Sequence, residues 1–428
     1  MSLWLCKTRT TRTSNQLLWA GGLSLCALLA CDAGRTGANP ETPLWKYRPS
    51  GSLSLVFSKN LKAKSRTQGE PHEHARAALD IDGRRLFLGS SDHGLYALNA
   101  ADGNTLWRFE TAGPVKSTPL FDKSRNVVFF GSHDGALYAV DADTGALRFR
   151  FMTNAEIQRP PVLSQGRLIV VNANDTVLAV DPSNGKLLWS QHRTPAMGME
   201  VAGYSGPLVA HGRVYVGFSD GVVMGYNEAT GAPSWNPVDL AAEAEQVLGD
   251  IPTYLDVDTT PLAATTEAGP AVLVASYSAG VFALDAETGI QLWANTAPRG
   301  VTELTLWHEP EHAPRGGHHS ALPIAEKTLI LASSGTSGLW ALDPLTGSML
   351  WHRDLPNGAA SKPVATQGVL LVAGSESGLF ALSPIDGSII DGVHLSGGID
   401  AAPAAFGSRV YALTNAGVLL GLHLQPPF

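Results

Sequence analysis

The sequence predicts an all-β fold, an eight-bladed β-propeller of four-stranded antiparallel blades closed by an N-terminal strand, on three observations. The first is a recurring phrase: an apolar strand, a Gly turn, a second apolar strand ending in Ala-Leu-Asp or a variant, a polar turn ending in Gly, and a strand carrying Trp. It is clearest at Gly89–Trp107, Gly131–Phe149, Asn172–Trp189 and Ala275–Trp293, and it recurs at Phe218–Trp235, Ser333–Trp351 and Gly374–Ile390, with an eighth copy from Thr414. The second is the period: Gly94 to Gly135 is 41 residues and Gly338 to Gly378 is 40, the length of a propeller blade and not of a helical repeat. The third is an arithmetic of strands. The eighth copy lacks its outermost strand, and Leu53–Leu61 (LSLVFSKNL) is a strand-like stretch near the N-terminus without a blade of its own.

Each part of the phrase has a physical reason. The first turn, at Gly94, Gly135, Gly221, Gly280, Gly338, Gly378 and Gly417, calls for a residue tolerant of positive φ. Asp175 takes that place once, and Asp is among the side chains that accept it. A further apolar run precedes each copy, such as Val127–Phe130 or Leu168–Val171, which makes four strands. Such a unit cannot bury both faces alone, so neighbours stack, and radial stacking closes a ring with short protected edges. The Trp at a fixed place in the unit (Trp107, Trp189, Trp235, Trp293, Trp351) reads as a wedge between blades and not as a sugar platform.

Ahead of the repeats, residues 1–30 read as a lipoprotein signal peptide: Lys7, Arg9 and Arg12, then an apolar run to Ala30 that is too short and too interrupted for a membrane span. Leu28-Leu29-Ala30-Cys31 resembles a bacterial lipobox, which implies a lipid on Cys31, now the first residue. Cys6 and Cys26 lie within the leader, so the expected mature chain has no partner for an intrachain disulfide. Residues 31–50 then form a lipidated tether rich in Gly, Pro and Thr, and 51–428 the propeller. Net charge is −8, and without the leader 27 Lys and Arg face 38 Asp and Glu, −11, which argues against nucleic acid as a partner.

His308-Glu309-Pro310-Glu311-His312, followed by His318 and His319, matches the letters of a zinc-protease motif. The motif needs a helix to place its first two histidines one turn apart. Pro310 and Pro314 oppose that helix, and Arg315 stands where the turn glycine belongs. The segment reads as a solvated loop, with no catalytic residue and no metal site assigned, and His72 and His74 read as surface residues. Asp256 and Asp258, either side of Val257, would share one face of a strand, or would accept backbone N–H bonds as turn structure.

Over residues 80–424 the phrase resembles the repeat of pyrroloquinoline quinone-type propellers, and within them the outer-membrane protein assembly factor BamB family. Asp256-Val257-Asp258-Thr259-Thr260-Pro261, followed by YSAGVFALDAETGIQLW, and the stretch 154–189 carry the likeness. The resemblance implies a non-catalytic lipoprotein scaffold at the periplasmic face of the outer membrane, binding the β-barrel insertase BamA and unfolded outer-membrane protein precursors. It implies docking through Asp256, Asp258, Thr259 and Thr260 and through a second loop, Pro195–Glu200. There Met197 and Met199 stand where the family has leucines, Glu200 stands where it has an arginine, and the loop is two residues longer. An acid at Asp32 resembles an inner-membrane retention signal of enterobacteria, the alternative destination. The alternative functions are a quinone- and calcium-dependent dehydrogenase, opposed by the lack of a cysteine pair in the expected mature chain and of a haem-binding Cys-x-x-Cys-His, and a binding module for another envelope partner. No cofactor is expected.

Overall fold

A computed structural model describes residues 51–61, 72–80, 84–196, 204–242, 256–309 and 328–425, with the short strand Leu44–Trp45 and the single positions 245, 249 and 254. Blade one shows the pattern, with strands Ala78–Leu79, Arg85–Ser90, Gly94–Asn99 and Thr105–Glu110 paired antiparallel in chain order. Blades two to seven repeat it from Leu120, Val162, Leu208, Leu262, Val301 and Val364. Blade eight holds Ala404–Phe406, Arg409–Leu413 and Val418–Leu424, and its outermost strand is Leu53–Asn60, paired from Leu53↔Leu424 to Asn60↔Val418. The N-terminal strand therefore completes the last blade, as the strand arithmetic requires. Leu44 and Trp45, inside the segment expected to be a tether, pair with His394 and Val393 as a fifth strand on blade seven.

The core explains the closure. Apolar side chains of the described residues sort into eight clusters, each shared by two neighbouring blades. In blade one, Phe87, Leu95 and Ala97 face Val128, Phe130 and Tyr138 of blade two. Leu86, Leu88, Tyr96 and Leu98 face the other way, onto Tyr411, Leu413 and Leu419 of blade eight. Alternation along a strand thus buries both faces, which is why the inner strands read as unbroken apolar runs.

The recurring letters of the phrase are turn and wedge chemistry. Asp141 Oδ1 accepts from the Asp143 N–H, the Thr144 N–H and the Thr144 hydroxyl, each at 3.0 Å. The Arg148 guanidinium, with these donors, holds the Asp141 carboxyl down to about 2. Trp107 donates its ring N–H to Ala142 O of the next blade at 3.0 Å and lies on Gly145, where a Cβ would meet the indole at 2.7 Å. Gly145 also has φ of 71°, so the position excludes side chains on two grounds. The same wedge recurs where Trp189 donates to Glu228 O and Trp351 to Pro384 O, and at the seam Phe57 takes the role over Gly103. One turn departs from expectation: in blade one the left-handed residue is His93, φ 68°, and not Gly94, whose missing Cβ leaves room for Arg108. Asp175 has φ of 46°, as its place in the repeat demands.

Candidate docking rim and channel mouth

The connections that lead from one blade's outermost strand to the next blade's innermost strand share a rim with the turns between second and third strands. Backbone bonds tie the two together, as with Val115 N to Ser90 O and Ile157 N to Ser132 O. The expected docking loop leaves blade three here. Ala196 N–H donates to Ser219 Oγ at 2.9 Å, and the Ser219 hydroxyl and N–H both donate to Asp175 Oδ2. Asp175 therefore does two jobs, turning its own hairpin and bracing the start of the loop. Met197, Met199 and Glu200 lie outside the described residues, as do Cys31 and the histidines 312, 318 and 319.

The acidic phrase is placed differently from the strand reading. Asp256–Asp258 is not a strand, because Val257 turns into the core between blades four and five, against Gly217, and both acids follow it inward. Asp256 is 0 % and Asp258 7 % exposed. Burial, then the charge of Asp256, push the Asp258 carboxyl up to about 8, against the pull of Arg159, and the two carboxyl groups hydrogen-bond one another. Two acids buried side by side favour holding one proton between them to higher pH than an isolated carboxyl would. Thr259 is fully buried, exchanging bonds with the backbone of Ala275 (Oγ1 to O 3.1 Å, N to Oγ1 3.0 Å) and accepting from Ser205 Oγ at 2.9 Å. Thr260 is half-buried beside Gly206.

Three features of this rim have no signature in the sequence. Arg159 reaches across from blade three, donating to Asp258 O at 2.7 Å, to Tyr204 O, and to Glu303 of blade six at 2.7 Å. Lys362 of blade seven lies 3.9 Å from the same Glu303 carboxylate. Five blades, three to seven, thus meet through one Arg and one Glu near the innermost strands. Beside the acidic phrase, exposed Tyr254 stands edge-on to half-buried Tyr277 at 5.8 Å, with its N–H on Ser278 Oγ at 3.1 Å. An exposed aromatic backed by a second ring and held by a backbone hydrogen bond suits a contact surface.

His308 ends the strand Val301–His308, its Nδ1 2.9 Å from Thr328 Oγ1, so the first histidine of the protease-like letters is on a strand and not a helix. His72 and His74 are exposed, and both approach Asp400.

Repeat, ring and wedge define a propeller of the pyrroloquinoline quinone-like repeat class. The profile of the outer membrane protein assembly factor BamB family matches residues 42–128, 123–310 and 302–425. The chain belongs to that family. An outer membrane protein assembly factor BamB of Yersinia pestis is 25 % identical over 218 residues, 50 % of this chain and 42 % of that protein, so the alignment spans less than half of the relative's length. BamB from Moraxella catarrhalis superposes with a TM-score of 0.67 over 87 % of this chain and all of that one, at 22 % identity. A quinohemoprotein alcohol dehydrogenase from Pseudomonas putida does so with 0.64 over 90 % of this chain and 78 % of that one, at 15 % identity, a likeness of fold. Among the described residues no helix is long and apolar enough to cross a membrane.

Proposed function

We propose that this protein is a non-catalytic lipoprotein scaffold of the β-barrel assembly machinery, held by a lipid on Cys31 at the periplasmic face of the outer membrane. It docks the insertase BamA on the rim of blades three to five and helps present unfolded outer-membrane protein precursors. The observation that carries this reading is the rim itself: a buried acid pair lies in the connection entering blade five, Asp175 through Ser219 braces the loop's described start at Ala196, and exposed Tyr254 is held on Ser278. Asp256, Asp258 and Thr259 act by shaping that surface. Met197, Met199, Glu200, Tyr254 and Thr260 supply contact, a division of labour that suits recognition by loops on a rigid ring.

The test is co-purification of the insertase with the full chain from solubilised membranes. Tyr254→Arg combined with Met197→Asp and Met199→Asp should abolish recovery while circular dichroism is unchanged. Undiminished recovery refutes the docking assignment. Cys31→Ser should release the chain from the membrane fraction, and residence of the wild type in the inner membrane, where Asp32 would direct it, would remove the insertase from its reach.

A further inference from the structure

Within blade eight the ring closes by backbone pairing of Leu53–Asn60 with Val418–Leu424, and a cluster of metal-ligating side chains lies where the loop entering blade eight meets the segment entering blade one. In His72-Glu73-His74, on the approach to blade one, the two histidines project together toward Asp400 and Glu73 turns to Ser90 and Ser91. Glu73 is 1 % exposed and pins the segment, accepting from Ser90 Oγ at 2.8 Å and from the Ser91 N–H and hydroxyl at 2.8 and 2.9 Å. The two imidazoles stack with centroids 5.3 Å apart. Their Nδ1 atoms lie 2.8 and 3.6 Å from a single oxygen, Oδ2 of Asp400, which comes from the loop entering blade eight.

We propose that His72, His74 and Asp400 bind a zinc ion that clips the first blade to the last. All three residues can bring a ligand atom within 4.8 Å of the others. Ligand atoms on a tetrahedral zinc ion, with bonds of about 2 Å, stand about 3.3 Å apart, so the observed separations close on an ion with small side-chain rotations. Two histidines and one carboxylate are a zinc donor set, harder than thiolate and softer than the all-oxygen cages of calcium or magnesium. The carboxylate is oriented from behind: Asn415 accepts from the Asp400 N–H at 2.7 Å, donates to Asp400 Oδ1 at 3.4 Å and to Ser375 O at 3.0 Å. Such outer partners fix a metal ligand's direction. The cluster opens on a cleft of about 560 Å³ with Glu376 on its wall, which leaves room for water or that carboxylate as a fourth ligand. Because the ligands come from opposite ends of the propeller, the ion would hold the seam in the folded state and have no preformed site in the unfolded chain.

The experiment is equilibrium dialysis of the untagged full chain, stripped of metal by a chelator, against Zn²⁺, together with thermal unfolding. One Zn²⁺ per chain is expected, with affinity at least about tenfold weaker in His72→Ala/His74→Ala and in Asp400→Asn. A saturating ion should raise the unfolding midpoint by about 2–4 °C in the wild type and leave the double variant unmoved. The loop histidines are the internal control: His312→Ala/His318→Ala/His319→Ala should keep the full uptake. Absence of stoichiometric uptake, uptake indifferent to the seam variants, or uptake lost with the loop variant overturns the proposal.

Discussion

Replacing Asp258 by Asn should stabilise this protein, and by an amount that grows with pH. The carboxyl moves from an ordinary value near 4 to about 8 on folding, because it is buried beside Asp256. Below pH 4 it is protonated in both states and contributes nothing. Between pH 4 and 8 only the folded chain holds the proton, so folding takes one up and stability falls as pH rises; above 8 the loss levels off. At about 1.4 kcal/mol per unit, the cost at pH 7 is about 4 kcal/mol, an upper bound because the acid pair shares the proton. Asn is neutral at every pH and its amide can donate to Asp256 as the protonated acid does. Urea unfolding followed by tryptophan fluorescence at pH 5, 6, 7 and 8 should show the variant's advantage rising by about 1 kcal/mol per unit. A difference flat across that range, or a variant less stable than wild type at pH 8, refutes the assignment of a proton to this pair.

Phe57→Ala removes the seam wedge over Gly103 and Gly421. It should cost about 2–3 kcal/mol, less than a fully buried Phe, and hydrogen exchange should quicken first in 53–60 and 418–424. Gly145→Val puts a branched side chain at φ 71° and against Trp107, which should cost about 3 kcal/mol in chemical denaturation. Glu73→Ala leaves the Ser90 hydroxyl and the Ser91 N–H and hydroxyl without their acceptor. Its expected cost is about 2–3 kcal/mol in the same assay, with Zn²⁺ uptake lost alongside.

The acidic phrase shows where sequence reasoning reached its limit. Asp-Val-Asp in extended chain puts both acids on one face, and nothing local says that the face is inward. Groups from other blades decide it: the segment is not a strand, Val257 is claimed by the core between blades four and five against Gly217, forty residues earlier, and Arg159 covers the backbone at Asp258, so that the acids are buried as well. Arg159 was invisible for the same reason: its partners, Asp258 and Glu303, belong to other blades. Tyr254 becomes legible only as half of an edge-on pair with Tyr277. His72 and His74 gave a readable His-x-His, but its third member comes from the other end of the propeller.

What the sequence determined by itself was the architecture. Turn residues, strand alternation and a wedge Trp are local signals, and repeating them eight times averages away the ambiguity of any single copy. Even the closure was legible, since a blade short of one strand and a spare strand at the opposite terminus have one economical solution. The tertiary structure alone decided the chemistry of the rim and the seam. Whether an acid is charged, or a histidine is near a second ligand, depends on burial and on groups from distant blades, and neither quantity is encoded in spacing along the chain.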